Sequence, residues 1–125
     1  MTDIRYLRKM VNGVPVIAAP AEIDITTTDQ LDAALLDTSR RGHATVVVDM
    51  TRTRFCDSRG LHVLLRAHKR VSAEGGGLRL VLPDEGAIPR IVTLMCVDRL
   101  IPSFASLEEA LGQPGVQAAQ PPAMS

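Results

Sequence analysis

Ser58 carries the only hydroxyl in the stretch "FCDSRG" (residues 55–60), where Asp57 and Arg59 flank it. It stands where an apolar, β-branched run ending at Asp49 gives way, through a short loop, to an amphipathic pattern that opens after Gly60. Three kinds of chemistry suit a serine at such a seam. As a helix cap, either Asp57 or Ser58 accepts hydrogen bonds from the first free N–H groups of the following helix. As a nucleophile on a sharp strand-to-helix turn, it needs glycines two before and two after, and those positions hold Cys56 and Gly60. As a phosphate acceptor, it gains close to two negative charges and three acceptor oxygens. The free N–H groups and positive dipole end of a helix favour that charge; Asp57 opposes it and Arg59 offsets it.

Little else in the chain supplies catalytic partners. His43, His62 and His68 form no pattern that identifies a general base, and His68 falls on an apolar helix face. Cys56 and Cys96 lie forty positions apart, without a CxxC pair or a histidine at ligand spacing, which argues against a metal site or disulfide framework. Gly75-Gly76-Gly77 follows a helical pattern and reads as a stop signal, not a phosphate-binding loop. The expectation is a binding protein, not an enzyme, with no cofactor and no metal. Fourteen basic and fourteen acidic side chains give a formal net charge of zero, so the electrostatic footprint of a nucleic-acid binder is missing. The N-terminus is charged where a signal peptide needs an apolar stretch, and no apolar run approaches membrane-spanning length. Two unpaired cysteines in apolar surroundings suit a reducing compartment, so the expected location is cytoplasmic.

The elements that must position Ser58 follow from periodicity. Residues 4–11 and 14–19 are apolar-rich and flank Asn12-Gly13, a strong hairpin signal, with Pro15 marking an unpaired edge near the start of the second strand. Thr27 and Gln30 fit a capping box, followed by Leu31, Ala34, Leu35 and Thr38 on one face of a helix that ends near Gly42. Residues 44–50 read as a strand buried on both faces. A second helix runs from Ser58 to Glu74, with Leu61, Leu64, Leu65, His68 and Val71 along its inner stripe. Residues 78–83 form the next strand. Pro89 suits the first turn of a third helix with an inner stripe of Ile88, Ile91, Val92 and Met95. An edge strand is expected around Leu100-Ile101, and Ser106 with Glu109 opens a short last helix. Residues 1–112 make one domain; residues 113–125, uncharged and aperiodic, read as a disordered tail. The class is α/β: a mixed, mainly parallel sheet of four to five strands with about four helices.

The chain resembles the STAS domain family, in particular its single-domain anti-sigma factor antagonists. The resemblance runs from Val14 to Leu111. It rests on "PAEIDITTTDQL", on "VVVDMTRTRFCDSRGLHVLLRAHKR" with its D-S-x-G turn and following helix, and on "GGGLRLVLP" and "FASLEEAL" at family spacing. It implies that Ser58 is the phosphoacceptor and that the partner is an anti-sigma factor serine kinase of the histidine-kinase-like ATPase fold. A PP2C-type phosphatase would remove the phosphate. Unphosphorylated, such a protein binds the kinase and frees a sigma factor; phosphorylated, it lets go. The partner face is expected at Asp24, Asp57, Arg59, Gly60, His62, Val63 and Arg66, with Asp24 equally able to cap the first helix. Asp49 is expected to hold the loop that follows it. Three positions depart from the family pattern: Arg59 replaces the usual Ser or Thr, Ala21 replaces a Gly, and Cys56 fills an apolar position. A phosphorylation-independent STAS adaptor is the alternative, in which Ser58 is only a cap or a fixed contact.

Overall fold

The structure is a computed structural model that describes residues 8–42 and 44–112. Strands β1 (Arg8–Val11) and β2 (Val14–Ala18) form the hairpin that Asn12-Gly13 signals. Both turn residues have positive φ, 52° and 79°, as a two-residue turn matched to strand twist requires. Pro15 pairs with Met10 of β1, whereas the ladder on the other side of β2 begins at Val16, so no hydrogen bond is forfeited there. The part of the first strand expected at residues 4–7 lies outside the described residues, as do His43 and the tail 113–125.

After β2 come β3 (Glu22–Ile23), α1 (Thr28–Arg40), β4 (Thr45–Asp49), β5 (Phe55–Cys56) and α2 (Ser58–Ser72). Then follow β6 (Gly77–Val81), α3 (Ala87–Leu94), α4 (Val97–Leu100), β7 (Ser103–Phe104) and α5 (Leu107–Leu111). The main sheet has the order β1-β2-β4-β6-β7, antiparallel only at β1–β2. This is the mixed, mainly parallel sheet expected, with a second, two-stranded ladder of β3 and β5 added. Alternation along β4 and β6 divides the core. Val46, Val48, Leu78 and Leu80 join the cluster under α1, α2 and α3, while Val16, Val47 and Val81 pack with Ala110 of α5 on the other face. Arg79 on that second face is buried, and its guanidinium donates to the Ala110 carbonyl.

Three local expectations need correction. Leu100-Ile101 ends the short α4 instead of forming a strand, and the edge strand follows at Ser103–Phe104. Met95 does not continue the inner stripe of α3; it is 57% exposed, because Cys96 turns left-handed at φ 59° and ends the helix. Thr27 does not act through a capping box: its hydroxyl accepts from the Asp24 N–H at 3.0 Å and donates to the Glu22 carbonyl at 2.9 Å. At α5 the serine half of the box forms, with the Glu109 N–H donating to Ser106 Oγ at 3.1 Å, while Glu109 Oε1 accepts from the Ala105 N–H at 3.2 Å.

Candidate functional site

The two-stranded ladder decides where Ser58 goes. β3 and β5 run parallel, pairing Glu22 with Phe55 and Ile23 with Cys56, so Ile23 and Cys56 turn inward while Glu22 and Phe55 face out. The ladder is extended by main-chain bonds: Arg54 N–H and Phe55 N–H donate to the Ala21 carbonyl, and Asp57 N–H to the Ile23 carbonyl at 3.1 Å. Thr53, buried, adds a hydroxyl bond to the Pro20 carbonyl at 2.8 Å. The Ile23–Asp57 link leaves Asp24 and Ser58 each one residue beyond it, which brings the two corners of the site together. Ala21 sits at ordinary negative φ, so the glycine usual in the family is not required by this turn.

At the start of α2 the roles separate. Asp57 is the N-cap: extended backbone, with Oδ1 accepting from the Gly60 N–H at 3.0 Å. Ser58 is the first helical residue; its hydroxyl is exposed and makes no hydrogen bond to a described residue. The capping alternative is thus filled by Asp57 alone. Gly60 is buried, and a Cβ there would stand 2.6 Å from Ile23 Cγ2 and 2.8 Å from Cys56 Sγ. Glycine is what lets the first turn of α2 lie against the ladder.

Gly60 and Val63 correct the expected partner face, since both are buried rather than exposed. Val63 is 3% exposed: α2 is covered by the sheet on one side and by α1 on the other, which widens its apolar arc beyond a single stripe. Ala67, missed in that stripe, is buried as well, whereas Leu65 and His68 are only half-buried. Arg59, His62 and Arg66 are exposed, as expected. Arg66 bonds Asp32 of α1 at 3.0 Å, tying the two helices together beside the site.

Asp24 and Asp49 do the same job at neighbouring strand ends. Asp24 Oδ1 accepts from the Thr26 N–H at 2.9 Å and the Thr26 hydroxyl at 2.6 Å; Asp49 Oδ1 accepts from the Thr51 N–H at 3.0 Å and its hydroxyl at 2.7 Å. Hydroxyl and N–H donation from Thr26 holds the Asp24 carboxyl below the usual range. Asp24 therefore organises its turn, while its main-chain carbonyl receives the N–H groups of Thr27 and Thr28. Cys56, under the site, has its thiol pushed up to about 12, first by burial and then by the Asp57 charge; it is a packing group, not a nucleophile. Among the described residues no group of three or more His, Cys, Asp or Glu side chains is placed to hold a metal ion.

Two clefts border α2. One, of about 350 Å³, is lined by Ser58, Leu61, His62, Leu65, Arg66, Lys69, Met95 and Val97. The other, of about 240 Å³, lies against α1 and is lined by Thr28, Asp29, Asp32, Arg59, His62, Val63 and Arg66. Met95 lines the first of these, and Ile25 (66% exposed), Phe55 (49%) and Leu94 are further exposed apolar side chains, which sequence periodicity did not single out. Phe55 carried no signal in the sequence, since β5 holds two residues, too few for alternation to register. Met95 had none, because the left-handed turn at Cys96 is not encoded by a glycine.

The STAS domain model matches residues 7–110. The chain belongs to the STAS family. Among curated STAS relatives, the anti-sigma-F factor antagonist RsfB of Mycobacterium tuberculosis is 27% identical over 101 residues, 80% of each chain. A solved anti-sigma factor antagonist from Mycobacterium paratuberculosis superposes with a TM-score of 0.78 at 26% identity, covering 85% of this chain and 89% of that one. The anti-sigma factor antagonist SpoIIAA in its unphosphorylated form has the same fold, with a TM-score of 0.74 at 20% identity over 94% of this chain and all (100%) of the other. No described helix of this STAS domain is long and apolar enough to cross a membrane.

Proposed function

We propose that this STAS protein is an anti-sigma factor antagonist that acts by partner switching through Ser58. In this reading it is a regulatory binding protein, not a catalyst. The unphosphorylated form binds an anti-sigma factor that is also a serine kinase of the histidine-kinase-like ATPase fold, and a sigma factor is freed. Phosphorylation of Ser58 releases the complex, and a PP2C-type phosphatase resets it. The observation that carries this reading is the division of labour at the start of α2: Asp57 caps the helix, and the neighbouring Ser58 hydroxyl is exposed without a described partner. Membership of the family and likeness to RsfB support it.

The docking face we assign has Ser58 at its centre, Asp24, Asp57, Arg59, His62 and Arg66 as polar contacts, and Ile25, Phe55 and Met95 as apolar ones. Suppose such a face holds its partner near micromolar, about −8 kcal/mol. A phosphate placed in the contact costs several kcal/mol through like charge and desolvation, and about 3 kcal/mol already lowers affinity more than a hundredfold. No refolding of the domain is needed.

The test is capture from native lysate on full-length Ser58→Ala and Ser58→Asp baits, followed by ATP addition to the complex of the unmodified chain. A kinase held by the Ala form and released by the Asp form, which then places phosphate on Ser58, supports the switch. Equal retention of one partner by both baits, with no phosphate transferred, sinks it in favour of the adaptor reading.

A further inference from the structure

The cleft beside Ser58 is chemically one-sided. Its polar lining consists of Ser58 and the basic residues His62, Arg66 and Lys69, with no carboxylate among them. That is notable in a chain whose acidic and basic side chains balance. His62 follows Ser58 by four residues within α2, so the two share a face one turn apart, about 6 Å along the axis. Both line that cleft, and helical side chains lean toward the N-terminus, so the His62 side chain belongs to the turn that begins at Ser58. Both residues are exposed, and neither makes a hydrogen bond to a described residue.

We propose that His62 is the residue that receives a phosphate carried on Ser58, an imidazolium N–H donating to a phosphate oxygen across one turn of α2. This rests on the reading of Ser58 as a phosphoacceptor and adds a residue that positions the modification. Arg66 and Lys69 lie farther along the cleft, Arg66 paired with Asp32 and Lys69 adding its charge. The groups that face His62 from other elements set the competition. From α1, Asp29 and Asp32 border the second cleft, joined there by Arg59 of α2 itself. Asp32 is already engaged by Arg66 at 3.0 Å, with Arg70 at 3.9 Å, leaving Asp29 as the competing anion. From the α3–α4 side, Met95 and Val97 face the cleft and carry no charge.

The experiment uses the full chain with phosphoserine installed at position 58 during translation, so it does not depend on finding a kinase. The phosphate is followed by phosphorus NMR across the pH range in the unaltered chain and in His62→Gln and Lys69→Gln. The expected result is a phosphate midpoint about 0.5–1 pH unit lower with His62 present than in His62→Gln, as an opposite charge in contact favours the dianion. Lys69→Gln is expected to move it far less, and about 0.5 M salt to shrink its effect first. Equal midpoints with and without His62 overturn the proposal, and so does a Lys69→Gln shift as large as that of His62→Gln. Mass spectrometry of the native protein tests the separate question of whether Ser58 is phosphorylated at all; its failure would sink the switch without touching the geometry.

Discussion

Substitution of Asp57 and of Ser58 tests whether the cap at the head of α2 belongs to Asp57 alone. Asp57→Ala removes the acceptor of the Gly60 N–H, a 3.0 Å bond at the head of α2. Loss of an N-cap costs about 1 kcal/mol, within a range of about 0.5–2, and the lost carboxylate at the positive end of the dipole adds a few tenths. Ser58→Ala removes a side chain with no described bond and gains slightly in helix propensity, so its stability stays within about 0.5 kcal/mol of the unaltered protein. For a domain near 100 residues, a change of about 1 kcal/mol shifts the melting temperature by roughly 4–8 °C. Thermal melts and urea titrations at pH 7 read both variants, with the urea slope unchanged. Asp57→Asn keeps an acceptor of equal capping rank and recovers most of the loss. If Ser58→Ala falls as far as Asp57→Ala, Ser58 is part of the cap, and the case for a free, modifiable hydroxyl collapses.

Gly60→Ala places a methyl against Ile23 and Cys56 at sub-contact distances; overpacking costs about 1–3 kcal/mol, and the helix-propensity gain of alanine offsets less than about 1. A net loss of roughly 1–2 kcal/mol in urea melts is expected, with part recovered when Cys56→Ala is combined with it. His68 accepts from the Leu78 N–H through Nδ1 at 3.1 Å, which requires that nitrogen unprotonated, and burial lowers its pKa from 6.5. The folded state therefore gives up its proton at lower pH than the unfolded chain. Stability from this group is complete above 6.5 and is lost as pH falls through the folded value. Urea midpoints from pH 7.5 to 5 should fall less steeply in His68→Leu than in the unaltered chain, and parallel curves would refute the assignment.

What was legible in the sequence was whatever a period or a turn residue encodes directly. Asn12-Gly13 gave the hairpin, the β-branched run gave β4, and the spacing of Leu61 and Leu64 gave α2. Asp57, Ser58 and Gly60 marked the seam, and Asp49 holds its loop as its type implied. What escaped depends on neighbours distant in sequence. Val63 is buried because α1 covers a second side of α2, which no single-helix stripe anticipates. β3 and β5 hold two residues each, too short for alternation to register, yet their pairing ties Ile23 to Asp57, the residues just before Asp24 and Ser58. Thr27 matched a capping box by spacing, but its hydroxyl was drawn to the Asp24 turn, a competing local arrangement of equal chemistry. Met95 left its stripe at a left-handed cysteine, a conformation that residue type does not announce.

The β3–β5 ladder is joined almost wholly through main-chain groups, from Ala21, Ile23, Arg54, Phe55 and Asp57. The register of the two strands is therefore set apart from the exposed side chains around it, while the Asp57 and Asp24 carboxylates hold the cap and the turn that follow. Neither Arg59 nor Ala21 contributes a side chain to that ladder, so a residue of another type at either position leaves its main-chain bonds in place. Partner preference in such a domain can be rewritten at positions 25, 55, 59 and 62 alone, in the laboratory or by drift after gene duplication. A one-residue insertion between 21 and 24 or between 53 and 57 would instead displace Ser58 and spoil every partner at once. Specificity is cheap to change here, and spacing is not.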